Sequence, residues 1–122
     1  MSTRANILIQ ELGRTVWVYH HYDGYMSYLG GALMEILSKT GKYAKAVDIA
    51  NTLFHNENDN GFELTTDRHG DIEYLYHINV DSKEITAYKT HFDAFTPDDK
   101  IVSAHWDNPD EIKEWFDNCK ED

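Results

Sequence analysis

The segment from Trp17 to Tyr25 concentrates the side chains that could bind or transform a ligand. Within nine residues it holds three tyrosines, two histidines, a tryptophan and an aspartate, and it contains an Asp-Gly turn. Tyrosine rings stack on planar groups, histidine donates or accepts hydrogen bonds at neutral pH, and a carboxylate accepts them from a hydroxyl or an amine. A strand built only for stability would hold mostly Val, Ile and Thr. The segment is therefore the first candidate site.

A nucleotide is the ligand class that this segment and its surroundings predict. Gly30 and Gly31 follow in the first turn of a predicted helix, where backbone amides bind anions and glycine lets a phosphate approach. Arg4, on a neighbouring predicted strand, suits a bidentate phosphate contact. The predicted ligand-binding residues are Arg4, Tyr19, His20, His21, Tyr22, Asp23, Tyr25, Gly30 and Gly31. The alternative is that the aromatic rings pack within a hairpin and the histidines only form hydrogen bonds within the fold.

Catalysis is not required by any motif, and no catalytic residue is assigned. His21 and Asp23 share one face of a predicted strand, so they could form the orienting pair of a small hydrolase. No Ser or Cys occupies a nucleophile elbow, and Cys119 lies in the apolar stripe of a predicted helix. Binding without turnover is the simpler expectation.

Metal and cofactor binding are not expected either. His20 and His21 point to opposite faces of a strand, so they cannot hold one ion together. His20 with Tyr22, or His21 with Asp23, share a face and are weak alternatives. The stretch from Asn56 to Asp67 resembles a calcium loop in part only, because it begins with Asn and ends with Asp where Asp and Glu are usual.

Length and composition predict one domain, 1–122, in the cytoplasm. A chain of 122 residues is of single-domain size and long enough to bury a core without disulfides. Its single cysteine cannot form an internal disulfide. No apolar run approaches the length of a membrane span, and the first residues lack the apolar core of a signal peptide. No membrane partner is expected.

Charge is strong and unevenly placed along the chain. The net charge is −11, with five basic and four acidic residues in 1–56 but six basic and 18 acidic residues in 57–122. Such a surface repels nucleic-acid phosphates, so no direct nucleic-acid partner is expected. It could attract basic protein surfaces, including those that normally hold nucleic acid. Solubility alone is the alternative explanation.

Hydrophobic periodicity predicts the elements that position these residues. Apolar and polar residues alternate in Arg4–Gln10 and Thr15–Tyr22, which predicts a β-hairpin. Two amphipathic helices follow. The first has Ser27 as N-cap and Gly41 after its end, and the second runs from Tyr43 to Phe54. In the second half of the chain, the pattern predicts strands at Phe62–Thr66, Ile72–Val80, Ile85–Thr90 and Ile101–Trp106, followed by a helix with Asn108 as its N-cap. Phe92 and Phe95 are expected to fold inward.

The predicted fold class is α+β. Hairpins separated from helices favour an antiparallel sheet of about five to six strands, with helices packed on one face and the order ββααβββα.

Several of these motifs also occur together in known proteins. Arg4-Ala-Asn-Ile7, Val18-Tyr-His-His-Tyr-Asp-Gly-Tyr25, Gly30-Gly31 and the hairpin that begins Asp71-Ile-Glu-Tyr-Leu-Tyr resemble small accessory proteins of phages and prophages with an R-A-x-I … Y-x-H-x-D-G-Y … G opening. Pro often follows the last tyrosine of that motif, whereas this chain has Met26. No established activity carries over with the resemblance, and so no catalytic residue does.

The resemblance implies a counter-defence role in the cytoplasm of a host cell, which leaves three hypotheses. The first is sequestration, without catalysis, of a nucleotide-type immune signal by a homo-oligomer. The second is an acidic protein–protein inhibitor of a host defence complex, similar to anti-CRISPR proteins that imitate nucleic acid. The third is a hydrolase that uses His21 and Asp23.

Overall fold

The computed structural model describes residues 3–40, 45–55, 59–93 and 95–120. Its elements, in chain order, are β1 (Ala5–Glu11), β2 (Arg14–His20), a π-helical turn (Met26–Gly30), α1 (Gly31–Thr40), α2 (Ala46–Phe54), β3 (Phe62–Thr65), β4 (Tyr74–Asn79), β5 (Glu84–Lys89), β6 (Asp99–His105) and α3 (Pro109–Cys119). Gly41 and Tyr43, which the sequence places at helix ends, lie outside the described residues. No helix in these ranges is long and apolar enough to cross a bilayer.

The six strands form one mixed sheet in the order β3-β2-β1-β4-β5-β6. β1 and β4 pair in parallel, and every other neighbouring pair is antiparallel. The α+β class is confirmed, whereas the purely antiparallel sheet and the order ββααβββα are wrong, since four strands separate α2 from α3. Two locally paired units, β1–β2–β3 and β4–β5–β6, join along β1 and β4. Alternation of side chains indicates a strand but not the direction of its neighbour.

One face of the sheet forms the core together with the helices. Ala5, Ile7 and Ile9 on β1 are fully buried there, as strand alternation requires. The same cluster includes Leu33 and Leu37 of α1, Ile49 and Leu53 of α2, and Trp115 of α3. The opposite face, called here the open face, has a smaller cluster made of Tyr19, Ile72 and Leu75, flanked by Leu8, Trp17 and Tyr88.

The Gly30–Gly31 pair lies where α3 crosses the start of α1. Trp115 donates from its indole Nε1 to the carbonyl oxygen of Gly30 at 2.9 Å, and a Cβ at Gly31 would lie 3.9 Å from the Phe116 ring. A Cβ at Gly30 would lie 3.0 Å from the Met26 sulfur. The predicted N-cap at Ser27 is wrong because the helix begins two residues earlier, after Tyr25. What approaches the backbone at the glycines is therefore α3.

Residues 66–73, called here the crossover segment, return across the open face from β3 to the start of β4. The backbone amide of His69 donates to Asn6 Oδ1 at 2.7 Å. The His69 ring stacks on Tyr19 with 4.1 Å between centroids, and the Tyr19 hydroxyl donates to Asp71 at 3.1 Å. These contacts fix the segment over the end of the sheet where β1 and β4 begin.

Replacement of Trp115 by alanine should destabilise the fold strongly. The side chain is fully buried and donates to Gly30, so the change leaves a cavity and removes the indole hydrogen bond to that carbonyl. We expect the free energy of unfolding, measured by urea denaturation, to fall by about 3–5 kcal/mol. Trp17→Ala is the control: its side chain is only partly buried on the open face, so about 1–2 kcal/mol is expected. Equal losses in the two variants would contradict this packing.

Candidate functional site

The predicted ligand-binding residues divide between the two faces of the sheet. Tyr19 and His21 lie on the open face, beside Arg4, whereas His20 and Tyr22 lie on the helix side. Asp23 and Tyr25 follow in the turn after β2, and the two glycines pack against α3. A ligand on one face cannot contact both groups. The structure therefore brings these residues together in two separate clusters rather than in one pocket.

On the helix side, Asp59 is the acceptor around which the first cluster is built. Its Oδ1 accepts from the Tyr22 hydroxyl and from the Gly61 amide, both at 2.8 Å. Its Oδ2 is 2.8 Å from His20 Nε2 and accepts from the Tyr28 hydroxyl at 3.0 Å. Burial alone would raise the pKa of Asp59, but the hydrogen bonds from Gly61, His20 and Tyr22 outweigh it and hold that pKa below its usual value. The carboxylate stays ionised.

The His20–Asp59 pair has the geometry of a catalytic dyad, but a substrate cannot reach it in this conformation. His20 is fully buried, and its Nδ1 is buried with no hydrogen-bond partner among the described residues. When Nε2–H donates to Asp59, Nδ1 carries the basic lone pair, which no substrate reaches in this conformation. Burial and the bond to Asp59 raise the pKa of Tyr28 to about 12, so its hydroxyl remains a donor. The cluster is structural.

The open-face cluster is also internally satisfied. Tyr19 is 3% exposed, and burial with the hydrogen bond to Asp71 raises its pKa to about 12. Arg4 lies 3.6 Å from Asp71. His21 is 3.1 Å from Glu63, while Asp23 accepts from the Tyr25 hydroxyl at 3.0 Å. The His21–Asp23 pair of the hydrolase hypothesis is thus not formed, because each member has a different partner.

Three segments meet at the end of the sheet where β1 and β4 begin. The Gly24 amide donates to the Thr3 carbonyl at 2.9 Å, and the Glu73 amide donates to the Arg4 carbonyl at 2.8 Å. The Tyr76 hydroxyl donates to the Gly24 carbonyl at 2.7 Å. A Cβ at position 24 would come within 2.7 Å of the Ala5 side chain, which explains the glycine. The turn after β2 is thereby fixed against the first residues of both strands.

A cavity of about 230 Å³ opens at this junction, at the start of the π-helical turn. We call it the helix-start cavity. Its lining residues are Thr3, Tyr25, Ser27, Glu73 and Tyr74. Behind the lining, Lys89 Nζ lies 3.9 Å from the Glu73 carboxylate and 4.4 Å from the centre of the Tyr74 ring. The cavity combines two aromatic rings, two hydroxyls, a carboxylate and the positive end of a helix.

Sequence reasoning found Tyr25 of this lining and missed the other four residues. Glu73 and Tyr74 belong to the hairpin motif of the resemblance, so the sequence did contain a signal for these two residues. That they lie near Tyr25 could not be predicted, because it depends on the parallel pairing of β1 with β4. Asp59 was missed because its side-chain partners lie 31 to 39 residues away. Within the described residues no group of three His, Cys, Asp or Glu side chains could hold a metal; Asn56 and Asn58 of the partial calcium loop lie outside those residues.

Comparison with protein-family models, with curated proteins and with solved structures finds no match to this chain. The resemblance to phage accessory proteins stays a prediction, and function is inferred from the geometry of this chain.

Replacement of Asp59 by asparagine should lower the free energy of unfolding and should also weaken the dependence of that free energy on pH. An amide at this site accepts fewer bonds and turns a donor toward groups that already donate, so about 1.5–3 kcal/mol should be lost near neutral pH. Because the folded pKa of Asp59 is lowered, its contribution is complete above the unfolded pKa of about 3.9 and is lost as pH falls through the folded pKa.

Urea denaturation between neutral and acidic pH checks this effect. The wild-type protein should lose more stability than D59N as the medium is acidified below about pH 4. Asp107→Asn is the matched control, because Asp107 is an exposed aspartate at the start of the α3 region. Indistinguishable stabilities of D59N and D107N across the pH range would show that the four contacts to Asp59 do not stabilise the fold.

Proposed function

We propose that this protein binds a nucleotide-type small molecule at the helix-start cavity and sequesters it without turning it over. The observation that carries the proposal is the convergence of Tyr25, Glu73 and Tyr74 with the start of a helix around one cavity. The three segments that build this cavity include the motifs of the phage resemblance. In that setting the ligand is a nucleotide immune signal and the place of action is the host cytoplasm.

Each group of the cavity suits one part of a nucleotide. Tyrosine rings flank a base or a ribose, and the Glu73 carboxylate accepts from an exocyclic amine or a ribose hydroxyl. Ser27 lies in the first turn of the helix, where its hydroxyl and the backbone amides favour a phosphate oxygen. Lys89 places a positive charge next to the carboxylate, which limits the repulsion of an anionic ligand.

Sequestration is favoured over turnover by the chemistry of the lining. Among the described residues, those that line the cavity include no histidine or cysteine. The hydroxyls of Thr3 and Ser27 have no general base among the lining residues other than Glu73, which is paired with Lys89. A bound nucleotide would therefore be held and released unchanged.

The size of the cavity supports a homo-oligomer. About 230 Å³ is below the roughly 300–1,000 Å³ of typical ligand sites, so the cavity holds one moiety of a nucleotide. A second copy of the chain, placed over the mouth, is the proposed source of the remaining contacts.

A second candidate function is inhibition of a host defence protein through the acidic surface. It is favoured by the excess of carboxylates in residues 57–122 and by the exposed acidic side of α3, where Asp110, Glu114 and Asp117 point to solvent. A surface of this charge fits a basic cleft that normally holds nucleic acid.

A thermal-shift panel of nucleotides, cyclic nucleotides and ADP-ribose derivatives tests the first proposal. A ligand at about 100 times its Kd adds about 2.7 kcal/mol, which raises Tm by several degrees for a domain of this size. Glu73→Gln should keep the fold and weaken binding at least about tenfold, because the lost carboxylate is the ligand's charged acceptor. Glu63→Gln, an exposed change on the open face, should bind as the wild type does.

Two results would contradict the proposal. One is a panel without any shift, and the other is a shift that E73Q leaves unchanged. Chromatography of the released compound separates sequestration from catalysis, since recovery of a changed compound would identify an enzyme.

A further inference from the structure

Two phenylalanine rings project into solvent from the loop between β5 and β6. Phe92 is 71% exposed and Phe95 is 94% exposed, so the expectation that both fold inward is wrong. The core beneath this end of the sheet is already filled by Ile72 and Leu75 on the open face. We call residues 91–93 and 95–98 the aromatic loop. Large apolar side chains held in water are unfavourable, and neighbouring ones commonly mark an interaction surface.

Hydrogen bonds hold the aromatic loop in this shape. Asp93 Oδ1 accepts from the amides of Phe95 and Thr96 at 2.8 and 2.7 Å, and Oδ2 accepts from the Thr96 hydroxyl at 2.6 Å. These bonds, the Thr96 hydroxyl first, lower the pKa of Asp93, so the carboxylate stays ionised. Arg68 of the crossover segment donates to both oxygens of Asp98 at 2.7 and 2.8 Å. The rings are therefore presented on a preorganised turn, which lowers the entropic cost of binding.

Acidic groups surround the two rings. Asp93 and Asp99 are exposed, Arg68 is paired with Asp98, and the His91 ring lies 2.8 Å from Asp99, while Lys100 is the exposed cation that follows in β6. Behind Phe92 lies a cavity of about 380 Å³ whose polar lining includes Arg68, His69, Asp93 and Asp98. Its carboxylates already accept hydrogen bonds from Arg68 and from the loop, so the exposed faces of Asp93 and Asp99, rather than this cavity, are what would attract a basic partner.

We propose that Phe92 and Phe95 are anchors that insert into an apolar pocket of a partner protein whose rim carries Lys and Arg. A second copy of this chain is disfavoured as the occupant, because the loop is acidic and two copies joined through it would bring like charges into contact. An anionic membrane surface is disfavoured for the same reason. The inference rests on the second candidate function and names its docking residues, and it is independent of nucleotide binding.

A peptide-display selection against the immobilised full chain tests this inference. We expect enriched peptides that combine aromatic or aliphatic residues with Lys and Arg. The most enriched peptide, synthesised with a fluorescent label, should lose at least about tenfold in affinity when Phe92 and Phe95 are both changed to serine. It should also bind more weakly as salt rises from about 50 to about 500 mM.

Leu64→Ser is the matched control, since Leu64 is 64% exposed on β3, away from the loop, and should change the affinity less than about twofold. Thermal melts check that the double variant is folded. The single change Phe95→Ser, at a side chain that is almost wholly exposed to water, gives a second measurement of the loss of peptide affinity.

Four results would overturn the proposal: no enrichment, enriched peptides without basic residues, equal binding to F92S/F95S and the wild type, or ring-dependent binding to vesicles of phosphatidylserine and phosphatidylcholine instead of peptides. Ring-dependent self-association in sedimentation would identify a second copy as the occupant and would overturn it also. The nucleotide thermal shift of F92S/F95S should equal that of the wild type, so the two proposals fail separately.

Discussion

The ionised carboxylate of Asp59 is the constraint on which the arrangement of this protein depends. It accepts four hydrogen bonds from three parts of the chain, namely His20 and Tyr22 around the end of β2, Tyr28 in the π-helical turn, and Gly61 before β3. In a low-dielectric site such bonds are strong, and each would be costly to leave unmade. The end of β2 and the start of the helix are thereby fixed relative to each other, which sets the position of Tyr25 and Ser27 in the helix-start cavity.

That constraint also explains why most of the predicted binding residues at the end of β2 already have partners within the fold. Histidines and tyrosines at the end of β2 use their polar atoms to hold the sheet to the helix on one face and to the crossover segment on the other. The two surfaces proposed for a ligand and for a partner lie beyond them, at the end of the sheet where β1 and β4 begin. The helix-start cavity and the aromatic loop both occur there, because β5 ends and β6 begins at the same end.

Features encoded over a few residues could be predicted from the sequence. The two faces of β2 are as alternation requires, and Asn108 caps α3 by accepting from the amides of Asp110 and Glu111. Features that depend on distant pairing could not. The Gly30–Gly31 pair correctly indicated a close approach, but only the packing of α3 shows that Trp115 is what approaches. The apolar type of Phe92 and Phe95 predicts a position in the core, but residue type does not report whether the folded core has room for these rings.

The negative charge of the chain does not conflict with a site for an anionic nucleotide. Long-range repulsion is screened over about 8 Å at physiological ionic strength, whereas helix-end amides act at contact distance and Lys89 offsets the charge of Glu73 from 3.9 Å away. Two of the three segments that build the helix-start cavity come from residues 1–56, where basic and acidic residues nearly balance. The carboxylate excess belongs instead to residues 57–122, which include the aromatic loop. The two proposed surfaces therefore differ in their electrostatics. The helix-start cavity would bind an anion through local dipoles, and the aromatic loop would attract a basic protein through its negative charge.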